Sequence, residues 1–293
     1  MFSGTYTALI TPFKSDESID EAALRAVVDK QIEAGIDGLV PVGTTGESPT
    51  VSHKENIRVI EIVVEQADGR VPVIAGTGSN STSEAIEMTR LAKDIGATAS
   101  LQVAPYYNKP NQEGFYRHFT AIGDSVDMPM VVYNIPGRTG KNIETDTLIR
   151  LAEHQNIVAV KEASGSVAQV MEVVARKPEG FGVLSGDDNL AFPIVSLGGS
   201  GVISVASNAA PGEVSRMIGL LLDGKLEKAR DEHYKLLPLF KMVFFDTNPI
   251  PIKYAMHLLG QCEEVYRLPL CPLSEENKDR VRKVLENQGL LKK

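Results

Sequence analysis

Short apolar runs alternate along the chain with longer segments whose apolar residues recur every three or four positions, a pattern of strand then helix, repeated. Residues 6–10 (Tyr6-Thr7-Ala8-Leu9-Ile10) read as the first strand. Ser18 and Glu21 then stand at capping-box spacing, Leu24, Val27, Val28 and Ile32 share one helical face, and Gly35 marks a stop. Residues 38–42 form the second strand, where Pro41 is awkward inside a ladder and points to a strand end or bulge. Ser52 with Glu55 opens the next helix, residues 71–75 make the third strand, and Ser81 with Glu84 starts a helix ending near Gly96. Strands follow at 99–103, 130–134, 157–161, 182–185 and 201–205, separated by helical patterns at 115–122, 145–152, 167–175 and 190–196.

Eight strands alternating with helices over about 210 residues predict an α/β fold of the (β/α)8 TIM-barrel type. A doubly wound open sheet is the rival, and the first strand–helix junction lacks the phosphate-binding glycine fingerprint such a sheet often carries. From Pro211 onward the pattern is helical, with apolar faces at 214–222, 226–245, 251–259 and 274–287. The expected organisation is a barrel catalytic domain over residues 1–224 and a helical C-terminal extension over 225–293 packed on it.

Composition narrows the class. Of 293 residues, 43% are hydrophobic and 23% charged, as in a soluble globular protein with a sizeable core. A formal charge of −8 argues against a nucleic-acid or anionic-membrane surface. No apolar stretch approaches the roughly 18 residues needed to span a bilayer. Met1-Phe2-Ser3-Gly4-Thr5 leads into the first strand without a signal-peptide pattern, which makes the cytoplasm the expected compartment. Cys262 and Cys271 lack ligand spacing and read as free thiols.

The candidate chemistry starts from Lys161, set into the end of the buried run Ile157-Val158-Ala159-Val160. A buried ammonium loses hydration, and the usual response is a lowered pKa that leaves an amine able to attack a carbonyl. The bland alternative is a lysine at the strand rim that snorkels to water. In a barrel the active site is built at the C-terminal ends of the strands, so the residues after each run matter. Gly43-Thr44-Thr45-Gly46-Glu47-Ser48 offers backbone N–H groups and two hydroxyls suited to a carboxylate or phosphate, or is a plain turn. Tyr106-Tyr107 follows the fourth strand as a packing or interface pair. Tyr133 and Arg138 stand near the mouth after the fifth, where a phenol suits proton transfer and a guanidinium suits a carboxylate. Gly186-Asp187-Asp188 reads as a helix N-cap, with no histidine nearby to make it a metal site. The inventory of amine, phenol, hydroxyls, N–H groups and arginine, with no metal set, fits imine chemistry on a keto acid.

Residues 38–48 with Glu55 beyond them, Tyr133-Asn134-Ile135-Pro136, Lys161-Glu162 and Asn248-Pro249-Ile250-Pro251-Ile252-Lys253 resemble the pyruvate-dependent class I aldolase family of dihydrodipicolinate synthase and N-acetylneuraminate lyase, over essentially the whole chain. The resemblance implies that Lys161 forms a Schiff base with pyruvate and that Tyr133 relays protons with Thr44 and Tyr107, the last reaching in from a neighbouring subunit. It implies that Thr45 holds the pyruvate carboxylate, that Gly186 and Ile203 add backbone contacts, and that Arg138 holds the carboxylate of the second substrate. Arginine in that loop favours a short acid such as L-aspartate 4-semialdehyde over a polyhydroxylated sugar. The implied lyase reaction gives 4-hydroxy-tetrahydrodipicolinate, the first committed step of lysine and diaminopimelate biosynthesis. The alternatives are cleavage of a keto-acid sugar and, from another class, a non-catalytic ligand-binding barrel. No metal or organic cofactor is implied, because the lysine itself is the electron sink. The resemblance also implies a homo-oligomer, a tetramer built from tight dimers, and an allosteric lysine site at Ser48, His53, Asn80, Glu84 and Tyr106. Asn56 and Pro49 depart from the pattern of many inhibited members at this patch.

Overall fold

The computed structural model describes residues 2–292. Eight parallel strands, each followed by helix, curl into a barrel: β1 (Gly4–Ala8), β2 (Gly38–Val40), β3 (Ile74–Gly76), β4 (Ala99–Val103), β5 (Met130–Asn134), β6 (Ile157–Glu162), β7 (Gly182–Ser185) and β8 (Gly201–Ser204). The hydrogen-bonded order runs β2-β1-β8-β7-β6-β5-β4-β3, and a Leu39–Val73 bridge closes the ring between β2 and β3. The barrel expectation therefore holds.

Side-chain alternation separates two layers of core. Tyr6, Val40, Ile74, Leu101, Val131 and Ile203 are among the inward residues that fill the barrel. The outward residues pack beneath the helices in two further clusters. On the β5–β6 side the outer layer includes Met130, Val132, Ile157 and Val160. The inward set includes Val131, Tyr133 and Ala159. Ile157 and Ala159 lie two residues apart yet face opposite sides, because the register shifts between Met130 and Val131: Met130 pairs with Ile157, but Val131 pairs with Ala159. That single-residue bulge at Val158 changes the parity of the rest of β6.

The ring of helices is α1 (Glu21–Glu33), α2 (His53–Ala67), α3 (Thr82–Ile95), α4 (Gln112–Ser125), the single turn α5 (Pro136–Thr139), α6 (Thr145–Ala152), α7 (Val167–Arg176), α8 (Asp188–Ser196) and α9 (Pro211–Leu222). The last three, α10 (Leu226–Met242), α11 (Ile250–Leu258) and α12 (Glu275–Asn287), pack on α8, α9 and one another. One apolar cluster runs from Leu24 and Val59 through Val214 to Phe240, Ile252 and Val281 without a break.

Two local signals are overridden. Ser18 does not cap α1; Asp20 does, accepting from the Ala23 N–H at 3.0 Å, while the Ser18 hydroxyl turns back to Asp16. Ser81 makes no side-chain cap on α3: its hydroxyl pairs with that of Ser83, and Glu84 turns to the Ser79 hydroxyl and to His53. Ser52 and Glu55 do form the reciprocal box at α2. Pro41 lies just beyond β2, as its missing donor requires.

Candidate active site

Lys161 projects from the C-terminal end of β6 into the barrel mouth and is 5% exposed. Its ammonium lies 4.1 Å from the centre of the Tyr133 ring, the residue directly opposite on β5. Burial pushes the Lys161 pKa down from 10.5 to about 7, with the Asp188 carboxylate opposing and the Arg138 charge assisting. Asp188 is itself fully enclosed, accepting from the Ser204 hydroxyl at 2.5 Å and from the Val205 and Ala206 N–H groups at 3.0 Å. Asp187 caps α8 as expected. Burial drives the Tyr133 phenol well above its ordinary pKa; Arg138 opposes this, Asp187 adds to it, and the neighbouring Thr44 hydroxyl pulls it back. The phenol therefore stays protonated near neutral pH.

The loop after β2 turns sharply, with Val42 and Glu47 at φ of 59° and 56°. Gly46 and Glu47 donate back to the Gly43 and Thr44 carbonyls, and the Thr11 hydroxyl pins the Gly46 carbonyl at 2.7 Å. Thr45 is 3% exposed and its hydroxyl accepts from Asn248 Nδ2 at 3.1 Å. At the loop's end the buried Glu47 carboxylate meets Lys253 of α11, whose ammonium is enclosed by the Phe13 ring at 4.0 Å and Tyr266 at 5.5 Å. Arg267 grips both oxygens of Glu55, at 3.0 and 2.7 Å, which holds that carboxyl down at about 2. Glu55 thus serves the α2 cap and a long-range ion pair together.

Arg138 stands on α5, and its guanidinium donates to the Asn248 carbonyl at 3.0 Å. A small chamber of about 40 Å³ is lined by Thr44, Thr45, Tyr133, Arg138, Lys161 and Gly186 among others. A Cβ at position 186 would sit 3.2 Å from Lys161 Cε and 2.8 Å from Ala163 Cβ, so glycine leaves the lysine its room. Ile203 packs inside the barrel and lines neither chamber described here. Tyr107 is 89% exposed at φ 71° and likewise lines neither.

A larger cavity of about 670 Å³ continues outward from Thr44, Tyr133 and Arg138 to Ser48, His53, Glu84 and Tyr106. His53 Nε2 is 3.0 Å from Glu84, and burial raises the Tyr106 phenol, with the Glu84 charge adding to it. Asn80 borders this patch rather than lining it, donating to the Tyr106 carbonyl at 3.1 Å. Pro49 and Asn56 both line it.

Three features lay beyond the sequence reading. Behind the strand pair, Asn134 donates to both Glu162 oxygens at 3.3 and 3.1 Å, and Ser164 N–H and Gln169 complete that carboxylate's shell. Asn248 reaches Thr45 and Arg138, and Lys253 reaches Glu47. The Asn248–Lys253 stretch was recognisable as a motif, but no local pattern says what it touches. Among the described residues, no group of three or more His, Cys, Asp or Glu side chains is placed to hold a metal ion.

The model of the dihydrodipicolinate synthetase family matches residues 1–288. The chain is 51% identical over 291 residues to the 4-hydroxy-tetrahydrodipicolinate synthase of Pelobacter propionicus, covering 99% of this chain and 100% of that one. It superposes on the crystal structure of dihydrodipicolinate synthase from Aquifex aeolicus with a TM-score of 0.98 at 47% identity, over 100% of both chains. The Acinetobacter baumannii enzyme, crystallised with pyruvate, gives a TM-score of 0.98 at 41% identity, over 99% of this chain and 100% of that one. With the match running through the barrel and the C-terminal helices alike, the chain belongs to the dihydrodipicolinate synthetase family.

Proposed function

We propose that this chain is a lyase that condenses pyruvate with L-aspartate 4-semialdehyde to 4-hydroxy-tetrahydrodipicolinate, the first committed step of lysine and diaminopimelate biosynthesis. The observation that carries the reading is a lysine amine with a pKa near 7, enclosed beside a protonated phenol, two threonines and an arginine. The names of the relatives support the same reaction.

The neutral Lys161 amine attacks the keto carbon of pyruvate, and loss of water gives the imine. Thr45, through its hydroxyl and N–H, holds the pyruvate carboxylate, with backbone groups at Gly186 and Ile203 as further contacts. Loss of a methyl proton gives the enamine, whose carbon attacks the aldehyde. The new alkoxide takes up a proton, and Tyr133 and Thr44 carry protons to and from the reacting atoms. Arg138 clamps the carboxylate of the aldehyde substrate. The substrate amine then adds to the imine carbon and displaces Lys161, closing the ring and regenerating the free amine. Exposed Tyr107 fits supply to a neighbouring copy, so the working unit is a dimer, itself paired into a tetramer. The expected compartment is the cytoplasm; no helix among the described residues is long and apolar enough to cross a membrane.

Borohydride reduction in the presence of pyruvate, followed by peptide mass mapping, tests the chemistry. An adduct on Lys161 is expected; an unmodified Lys161, or an adduct elsewhere, overturns the mechanism. Efficient cleavage of sialic acid without condensation would instead assign the lyase reaction on a keto-acid sugar.

The outer cavity supports a second, regulatory reading. Glu84, flanked by His53 and Ser79, can pair with an ammonium, and Tyr106 can line an aliphatic stem, as free lysine requires. Lysine inhibition lost in Glu84→Gln is expected; an enzyme indifferent to lysine excludes it.

A further inference from the structure

Asn248 lies between α10 and α11, more than 200 residues along the chain from the loop it touches. It is 5% exposed and its Oδ1 is buried without a hydrogen-bond partner among the described residues. Leaving half an amide unmet costs about 1–3 kcal/mol, so an apolar side chain would serve better if filling space were its only task. What the amide does reach is the Thr45 hydroxyl, while its backbone carbonyl receives the Arg138 guanidinium. The segment is anchored from below: Lys253, one turn into α11, pairs with Glu47 at the far end of the same loop. The C-terminal helices thus hold the threonine loop at two points and α5 at a third.

A hydroxyl has one proton and two lone pairs. When Asn248 Nδ2 donates to Thr45 Oγ1, a lone pair is taken and the threonine proton is left for an acceptor in the chamber that Thr45 shares with Lys161. A carboxylate is acceptor-only. We propose that Asn248 is a positioning residue: it makes Thr45 a donor aimed at the carboxylate of the keto acid and sets the Arg138 fork for the carboxylate of the second substrate. This rests on the pyruvate reading above.

Steady-state kinetics with pyruvate and borohydride trapping on Asn248→Ala, Asn248→Asp, Thr45→Val and the Asn248→Ala/Thr45→Val pair test the inference. Asn248→Ala is expected to raise the pyruvate KM about 10-fold with kcat within about 3-fold. The double variant should be no worse than Thr45→Val alone, because the effect passes through that hydroxyl. Asn248→Asp keeps the shape and loses the donor. Its KM should rise at least as far and, relative to wild type, recover as the pH falls and the carboxyl regains a proton to donate. An unchanged KM in a folded Asn248→Ala, or additive effects in the double variant, overturns the proposal. If the alanine variant does not fold, the aspartate variant decides, and a KM rise that ignores pH overturns it. Should Thr45→Val bind pyruvate normally while Lys161 is still trapped, the Thr45 and Asn248 roles fall and the imine reading stands. Failure to trap Lys161 in the wild type removes the reading itself.

Discussion

Tyr133 is the direct partner of Lys161 across the β5–β6 ladder, and the lysine ammonium lies 4.1 Å from the centre of the tyrosine ring. The pairing depends on the bulge at Val158. Continued from Met130 and Ile157, the register would set Tyr133 opposite Val160 and turn Lys161 out of the barrel beneath the helices. One extra residue in β6 brings phenol and amine to the same face. On the opposite face the next pair, Asn134 and Glu162, is clamped by two hydrogen bonds, which resists slippage of the ladder.

Burial of Lys161 makes imine formation pH-dependent in a specific window. With its pKa near 7, the amine is half neutral at that pH, so the rate of pyruvate trapping should rise with pH and level off above it. A midpoint near 10 would show that burial does not keep the amine neutral. The same burial costs stability. The unfolded chain holds this proton up to about pH 10.5 and the folded chain only to about 7, so Lys161 lowers stability at neutral pH, and the loss fades as pH rises between those values. Lys161→Met should abolish trapping and raise Tm at pH 7, measured by calorimetry.

Arg138→Ala should separate the two substrates. Loss of a charge-assisted clamp worth roughly 2–3 kcal/mol lowers kcat/KM for the semialdehyde by about 100-fold. Pyruvate trapping should stay within a few-fold. Because the guanidinium helps depress the Lys161 pKa, the trapping midpoint should move to higher pH. Equal loss toward both substrates would remove the assigned role.

Gly186→Ala should damage chemistry as well as folding. The added methyl would press on Lys161 Cε at 3.2 Å and Ala163 Cβ at 2.8 Å. Overpacking of this kind costs about 1–3 kcal/mol in stability. Trapping with pyruvate should slow by about 10-fold or more, since the lysine loses the rotamer that points into the chamber. Normal trapping would show that the lysine has slack.

Lys253→Met should be the most destabilising of these changes, by about 3–5 kcal/mol in urea unfolding, because it strands the Glu47 carboxylate in the core. Adding Glu47→Gln should recover part of that, since the buried charge is removed although the amide still lacks a partner. A single variant as stable as wild type would mean that the pair is not what holds the loop.

Much of the fold was legible because its signals are local. Alternation of short apolar runs with helical faces marks eight strands, and the ends of those strands mark where chemistry collects. The Ser52–Glu55 box formed as read, since both partners lie within one turn. Ser18 and Ser81 had the same spacing and failed, because Asp20 caps α1 instead, Ser83 engages the Ser81 hydroxyl, and Ser79 and His53 each engage Glu84. Spacing lists the candidates; the neighbours brought in by folding choose among them.

The sequence by itself determined the strand–helix order, the lysine at the end of the sixth strand and the mouth residues around it, because periodicity and residue type act within a few positions. Tertiary structure alone decided that Lys161 faces inward, that its amine is held near neutrality, and that Asn248 and Lys253 grip a loop 200 residues away. Those outcomes depend on register, burial and long-range hydrogen bonds, and each exists only once distant segments have closed around one another.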